Sequence, residues 1–416
     1  MTVSFKRVAL ILLFSSSLSV IYCQTKDLAF YIGKGLTNSP LLNDLKNQLH
    51  SASLDSLIIT AQRKPQVEGR SQLLYSPYND HFGYDEVITD GGNYQAVAYV
   101  SQDLFVGKKT GNKYRTLNYE KQGLNLSVKL SSAELIKTIT DLYIESYSVY
   151  SDLLFNVSFL DLMKNENLVV NRFVENGIYS QADYLALLVE TEGQEVIITQ
   201  LKNQYRKNIM SLNELCGIVD TSEIKLQLPV IEPQGTARIS DYLILKQYSL
   251  DSLRIINEKE ALALRYKPSV NWFADAGILT SNPFNFYRHV GVSAGVSLKI
   301  PIYDGHQKNI EADKLSLKED SRSRYFNSTK NEYDQIYFRL NSELEGIKQV
   351  RNGLEKQLAL SDRLVKSLRI QMENGIIKMQ DYIAAIKNYR NINRYIILSD
   401  IDILRVKNEI NYILTR

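Results

Sequence analysis

The sequence predicts a mainly α-helical, internally duplicated chain with a small β part of the membrane-spanning kind. Three observations carry this expectation. Short markers recur in order at a fixed spacing of 198 residues. Two stretches of 70 residues, from Gly107 to Asn176 and from Gly305 to Asn374, contain no proline. Four short segments alternate between apolar and small or polar side chains, the period of a strand with two unlike faces.

Composition narrows the class. A chain of 416 residues has the length of two to four ordinary domains. Hydrophobic residues at 44% and charged residues at 23% exclude a disordered chain and a polytopic helical membrane protein. Lys and Arg total 49 against 46 Asp and Glu, so there is no basic field for nucleic acid. Two cysteines exclude a disulfide scaffold and a Cys-based zinc site. The four histidines (His50, His81, His289, His306) lie far apart, with no i,i+4 pair to hold a metal. Eight prolines favour long helices over many short loops.

The N-terminus reads as an export signal, residues 1–23. Lys6 and Arg7 form its positive end, and Val8 to Val20 is an apolar stretch too short to span a bilayer. The expected cleavage follows Cys23 and leaves Gln24 first. Acylation of Cys23 is the alternative, disfavoured by bulky Tyr22 just before it. Cys216 then remains as a buried small apolar residue. No later segment has the run of apolar residues a transmembrane helix needs, whereas barrel strands would escape such a scan.

The duplication divides the mature chain into 24–235 and 236–416. Glu175-Asn176-Gly177-Ile178 recurs as Glu373-Asn374-Gly375-Ile376. Asp183-Tyr184-Leu185-Ala186 recurs as Asp381-Tyr382-Ile383-Ala384, and Leu104-Phe105-Val106-Gly107 as Ile302-Tyr303-Asp304-Gly305. Lys64-Pro65-Gln66-Val67 pairs with Lys267-Pro268-Ser269-Val270 at a spacing of 203, so the difference falls in one loop. Two copies this long do not make a solenoid.

Each half opens with a helix ending at Lys-Pro, from Pro40 to Gln62 and from Ile239 to Tyr266. Two strands follow. Val290, Val292, Ala294, Val296, Leu298 and Ile300 share one face of the last strand. Its counterpart sets Tyr94, Ala96, Ala98 and Val100 against Gln95 and Ser101. Val270, Trp272, Ala274, Ala276 and Ile278 share a face of the third strand, as do Val67, Gly69, Ser71, Leu73 and Tyr75 of the first. Each has the length of a tilted membrane strand. Tyr78, Phe82 and Tyr84 in one connection, and Phe284, Phe286 and Tyr287 in the other, suit an aromatic girdle or a soluble core.

A 70-residue helix would be about 105 Å long. Leu354, Leu358, Ser361, Val365, Leu368 and Met372 keep the spacing of a coiled-coil seam, as do Leu124, Val128, Ser131, Leu135 and Leu142. Gly177 and Gly375 then reverse the chain, because glycine accepts left-handed backbone angles. The returning helices run to about Glu214 and to the C-terminus. Stacking end to end with the helices before the strands would make up the length of their long partners.

Four strands cannot close a barrel. In lipid their free edges would leave backbone groups unpaired at several kcal/mol each, so the sheet must close with other copies. Three copies give 12 strands, within the even-numbered bacterial range.

On these residues the chain resembles the TolC family of outer-membrane efflux channels over essentially its whole mature length. The most specific stretches are Val290 to Gly305, a strand followed by Pro301-Ile302-Tyr303-Asp304-Gly305, and the twin Gly177 and Gly375 segments, each with an Asp six residues on. The resemblance implies a trimeric 12-stranded β-barrel in the outer membrane, continued by a long α-helical coiled-coil barrel in the periplasm. It implies a passive exit channel of a tripartite efflux or type I secretion system. The implied partners are a periplasmic adaptor (membrane fusion) protein, an inner-membrane transporter of the RND, ABC or MFS class, and outer-membrane lipid. Asp381 matches a periplasmic aperture carboxylate and Asp183 the Asp of the first half that helps hold the entrance shut. Asn176, Gly177, Ile178, Asn374, Gly375 and Ile376 match the adaptor-contact tips, and Pro301, Gly305 and Gly107 the strand-to-helix junctions. Two positions depart from the pattern. Ala384 stands where a second aperture carboxylate is expected, and Ile377 where a locking Arg is expected. For both Asp residues, helix capping after the turn is the plain structural alternative.

An enzyme is not expected: there is no G-x-S-x-G, P-loop, H-E-x-x-H or glycine-rich nucleotide loop. No cofactor or nucleic-acid partner is expected either. The competing reading is a non-channel coiled-coil scaffold of the periplasm or cell surface, which would need neither the four strands nor matched long arms.

Overall fold

The computed structural model describes residues 26–77, 81, 83, 91–220, 224–232 and 242–416. The signal segment with Cys23, the aromatics Tyr78, Phe82 and Tyr84, Ile239 and the division at 235/236 lie outside the described residues. The elements are α1 (Leu28–Asn38), α2 (Pro40–Ala61), β1 (Gln66–Tyr75), β2 (Gly92–Leu104), α3 (Gly107–Glu175) and α4 (Gln181–Leu215). Then come α5 (Leu243–Arg265), β3 (Ser269–Thr280), β4 (Val290–Lys299), α6 (Gln307–Glu373) and α7 (Met379–Thr415). The order helix, strand, strand, long helix, shorter helix thus occurs twice.

The long helices span 69 and 67 residues, roughly 100 Å each. In α6 the predicted seam is the inner line: Ser361 and Met372 are buried, and Leu354, Leu358, Val365 and Leu368 half-buried. In α3 the buried positions include Ile139, Tyr143 and Ile144 instead of a single seam, because α1, α2, α4, α5 and α7 all pack against it.

The shorter helices are completed end to end. The Ile244 N–H donates to the Arg416 carbonyl at 2.6 Å, joining the end of α7 to the start of α5. Asn38 Nδ2 donates to the Cys216 carbonyl at 2.9 Å, setting the end of α4 beside the α1–α2 junction.

Helix α1 is absent from the sequence expectation. Asp27 caps it by accepting from the Phe30 N–H at 2.9 Å, and its Tyr31 is fully buried against Tyr143. A second unforeseen piece is the extended segment 224–232. The Tyr143 hydroxyl donates to the Gln227 carbonyl at 2.9 Å, and the Tyr205 hydroxyl to the Ile224 carbonyl at 2.6 Å. The described residues have no single central core. Four buried clusters are strung along the helices: one around Tyr31, Tyr143 and Cys216, one around Ile144, Ile231 and Ile401, one around Tyr333, Leu340 and Ile410, and one near the hairpin tips.

The four strands form one antiparallel sheet in the order β1-β2-β3-β4. The register puts Val67 opposite Val100, Val100 opposite Ala274, and Ala274 opposite Ala294. The four apolar rows therefore share one face. That face is open: Val292 is 84% and Val296 69% exposed. The opposite face is polar and carries a stack of side chains across the sheet. Arg70 lies 3.3 Å from the centroid of the Tyr99 ring, Tyr99 stacks on Phe273 at 5.9 Å, and Phe273 covers Gly295. A Cβ at Gly295 would come within 2.6 Å of that ring, so the close approach requires glycine. Among the described residues nothing pairs with the outer edges of β1 and β4.

Candidate functional site

Both tips are built the same way. After α3, Gly177 (φ 72°) donates its N–H to Val174 and Ile178 donates to Phe173, at 3.0 and 2.9 Å. After α6, Gly375 (φ 69°) donates to Met372 and Ile376 to Gln371, at 3.0 and 2.9 Å. This double bond pattern closes a helix through one left-handed residue, which glycine adopts without cost. Asn176 and Asn374 end the helices, and their side chains donate back to the Arg172 and Ile370 carbonyls. Ile178 and Ile376 are exposed.

The two tips lie against each other. Ile178 Cγ2 is 3.1 Å from where a Cβ on Gly375 would stand. The single proton of the Tyr179 hydroxyl is shared between the carbonyls of Met372 and Ile377, 3.0 and 2.9 Å away. Burial and nearby Asp183 raise the Tyr179 pKa, which keeps that proton in place. Tyr179 and Ile377 are the same position of the two halves, so one repeat supplies the donor and the other the acceptor.

Asp183 and Asp381 differ in use. Asp183 stands in the first turn of α4 in a reciprocal cap: its carboxylate accepts from the Ser180 N–H and hydroxyl at 3.1 and 2.7 Å, while Ser180 caps the Asp183 N–H. Asp381 has Lys378 at the matching cap position, which makes no side-chain cap. Its carboxylate is exposed and accepts no hydrogen bond among the described residues. Ile377 is half-buried in the tip cluster, and Ala384 is exposed.

Behind the tips, polar contacts that the sequence reading missed stitch the halves together along α7. Glu166 of α3 is buried, lies 3.4 Å from Arg369 Nη2 and places its charge near the Tyr382 hydroxyl. Burial first, then Glu166, drives the Tyr382 pKa up. Further along, Lys387 meets Glu190 at 2.8 Å, Arg390 meets Gln194 at 3.1 Å and Asn408 meets Asp141 at 2.7 Å. Nothing in one sequence pairs residues this far apart. The signal available was a recurring polar position every three or four residues on one helix.

The two strand-to-helix junctions differ. In the second, Gly305 and His306 are both left-handed (φ 65° and 66°), after Pro301 in the connecting segment. Asp304 accepts from the Lys308 N–H at 2.8 Å. The neighbouring Tyr266 hydroxyl, then that amide, hold the Asp304 carboxyl below the usual range. In the first junction the left-handed residue is Phe105 (φ 56°), not Gly107. Gly107 begins α3 in ordinary geometry, and a Cβ there would meet nothing within 4 Å. The turn takes its handedness from a residue that the alternation alone would assign to the strand.

Among the described residues no helix is long and apolar enough to cross a membrane, and no cluster of three or more His, Cys, Asp or Glu could hold a metal.

No protein-family model matches the sequence, and neither does any curated protein. Solved structures do match. CusC, described in connection with transmembrane channel formation, superposes with a TM-score of 0.76 at 12% identity, over 93% of this chain and 91% of that one. The outer membrane protein VceC of Vibrio cholerae gives 0.74 at 12% identity, over 93% and 96%. The outer-membrane channel OprN gives 0.73 at 12% identity, over 93% and 89%. OprN and CusC are channel proteins, not enzymes. The fold of this chain is that of the TolC family of outer-membrane channels.

Proposed function

We propose that three copies of this chain close into a 12-stranded barrel in the outer membrane and a helical tunnel in the periplasm. The mature chain is then two repeats, 24–235 and 236–416, after a signal over 1–23. The tunnel is a passive exit for substrates that an inner-membrane transporter delivers through a periplasmic adaptor. The observation that carries this reading is the sheet. It has one apolar face open to the surroundings and two free edges that run antiparallel to each other, since β1 and β4 are separated by three antiparallel steps. The β4 of one copy therefore fits the β1 of the next, and each closure removes a row of unpaired backbone groups from lipid.

Asp381 is the aperture residue in this reading. Three uncapped, exposed carboxylates brought together at a narrow end repel one another, bind cations and favour cation passage. Asp183 contributes less to the pore field because its carboxylate caps α4. The exposed tip residues Asn176, Gly177, Ile178, Asn374, Gly375 and Ile376 form the surface for the adaptor. Pro301, Gly305 and Gly107 mark the passage from barrel to tunnel.

The test is the native mass of the protein extracted from outer membranes in mild detergent, with its conductance in a planar bilayer. A trimer with a defined cation-preferring pore is expected, and Asp381→Asn should lower the cation preference several-fold while Asp183→Asn lowers it less. A soluble periplasmic monomer or dimer without conductance would overturn the channel and leave a coiled-coil scaffold.

A further inference from the structure

We propose that the strand-to-helix junction is a basic collar that binds the phosphate headgroups of anionic phospholipid. The inference rests on the membrane-barrel reading above and deepens it by naming the lipid. The register brings the ends of four helices to one level. Gln66 pairs with Ser101, Leu104 with Val270 and Ser269 with Lys299, so α2, α3, α5 and α6 all meet the sheet at the same end. Gln102 Nε2 donates to the Arg63 carbonyl at 2.8 Å, and Lys113 Nζ to Gln62 Oε1 at 3.0 Å, tying the end of α2 to the start of α3. Lys308 stands 5.6 Å from the Tyr266 ring centroid, tying the end of α5 to the start of α6.

Cations crowd this level. Arg63, Lys64, Lys108 and Lys267 are exposed and Lys109 is half-exposed, and none of the five forms an ion pair among the described residues. Few carboxylates oppose them. Asp103 accepts only from Asn271 at 3.1 Å and Asp304 from the Lys308 N–H at 2.8 Å, so both keep their negative charge, while Glu311 takes both its oxygens to Arg265 at 3.0 Å. Two such carboxylates against the five cations leave net positive charge. Large apolar side chains stand among these cations: Phe105, Ile302 and Tyr303 are 89%, 94% and 78% exposed. They stand on the short segments that join the sheet to α3 and α6. Apolar groups flanked by flexible cations are the pattern of a surface that meets acyl chains and headgroups together.

The test uses the full-length protein in neutral detergent at low salt, with its thermal unfolding temperature as readout. The probes are short-chain phosphatidylglycerol, short-chain phosphatidylcholine and inorganic phosphate. Phosphatidylglycerol is expected to raise the temperature by several degrees, with the rise shrinking in 0.5 M salt, roughly the regime where the screening length falls to a few ångströms. Phosphatidylcholine and inorganic phosphate should leave it unchanged. The triple variant Lys64→Gln, Lys108→Gln, Lys267→Gln should lose most of the rise, and the matching Lys→Arg triple should keep it. An equal rise with phosphatidylcholine would mean acyl contact alone, an equal rise with inorganic phosphate a free-anion site, and an undiminished rise in the Gln triple a different surface; each overturns the proposal. Conductance in a neutral bilayer is recorded alongside. A conducting protein with no phosphatidylglycerol effect defeats the collar alone, whereas a non-conducting one defeats the channel reading on its own terms.

Discussion

At the scale of single residues, sequence position and physical role part company. Asp183 and Asp381 occupy the same place in the duplication, yet one carboxylate caps a helix and the other stands free. The cause is three residues upstream, where Ser180 has a hydroxyl to cap with and Lys378 has none. That difference was legible, since Ser-x-x-Asp is a helix-start signature. The Tyr179 bridge was not legible, because it depends on two turns meeting. Cys216, expected as a buried apolar residue, is fully buried where α1, α3 and α4 converge. Burial alone pushes its thiol up to about 11 from an ordinary 9.0. A folded pKa above the unfolded one means the contribution to stability is complete below pH 9 and is lost as pH rises through 11. At pH 8 the native thiolate is then about a hundredfold scarcer than in the unfolded chain, before any steric block is counted. Iodoacetamide labelling at Cys216, read by peptide mass spectrometry, should be slower by at least that factor in native protein than after heating in SDS. Rapid native labelling would contradict the packing of α1.

At the scale of elements, the long helices and their reversals were readable because helices and turns have local causes. Uninterrupted proline-free sequence, a seam at coiled-coil spacing and Asn-Gly at the end suffice to draw α3, α6 and both tips. Helix α1 was missed because it is only 11 residues long and stands beside the export signal, although Leu28, Tyr31, Ile32 and Gly35 recur at helical spacing. Tyr31 and Gly35 are helical and buried only because α3 and α4 enclose them. The end-to-end joints were an arithmetical expectation that the Ile244 to Arg416 bond meets in one half. The tips allow a paired test. At Gly177 a Cβ meets nothing, so Gly177→Ala pays only for left-handed backbone, about 1 kcal/mol. Gly375→Ala pays the same and also presses on Ile178 at 3.1 Å. Amide hydrogen exchange around the first turn should speed up roughly fivefold in Gly177→Ala, the rate equivalent of that energy. Around the second turn it should speed up more in Gly375→Ala. Equal effects would mean that Ile178 yields freely and that the tips do not support each other.

At the scale of the whole molecule, the sheet sets the demand that one chain cannot meet. Its apolar rows line up across all four strands, yet among the described residues no helix covers them and no further strand pairs with β1 or β4. The alternation in β4 was plain in the sequence, because both faces repeat with period two. It was weak in β1, where Gly69 and Ser71 dilute the apolar row and only the pairing with Ala98 and Ala96 shows which face they join. A soluble β-domain and a membrane barrel answer this demand differently, and two neighbouring substitutions separate them. Val296 lies on the apolar face opposite Trp272, while Ser297 lies on the polar face opposite Asn271. In a barrel, Val296→Arg puts a cation into lipid near mid-strand at roughly 2–4 kcal/mol per copy. That cost is repeated in every copy, whereas Ser297→Arg places the same cation in an aqueous interior. The expected outcome is that Val296→Arg abolishes recovery of the oligomer from outer membranes and Ser297→Arg leaves it intact with altered ion preference. A covered soluble sheet would penalise Val296→Arg without any change in membrane fractionation. An open soluble sheet would tolerate both, because water would then solvate either guanidinium.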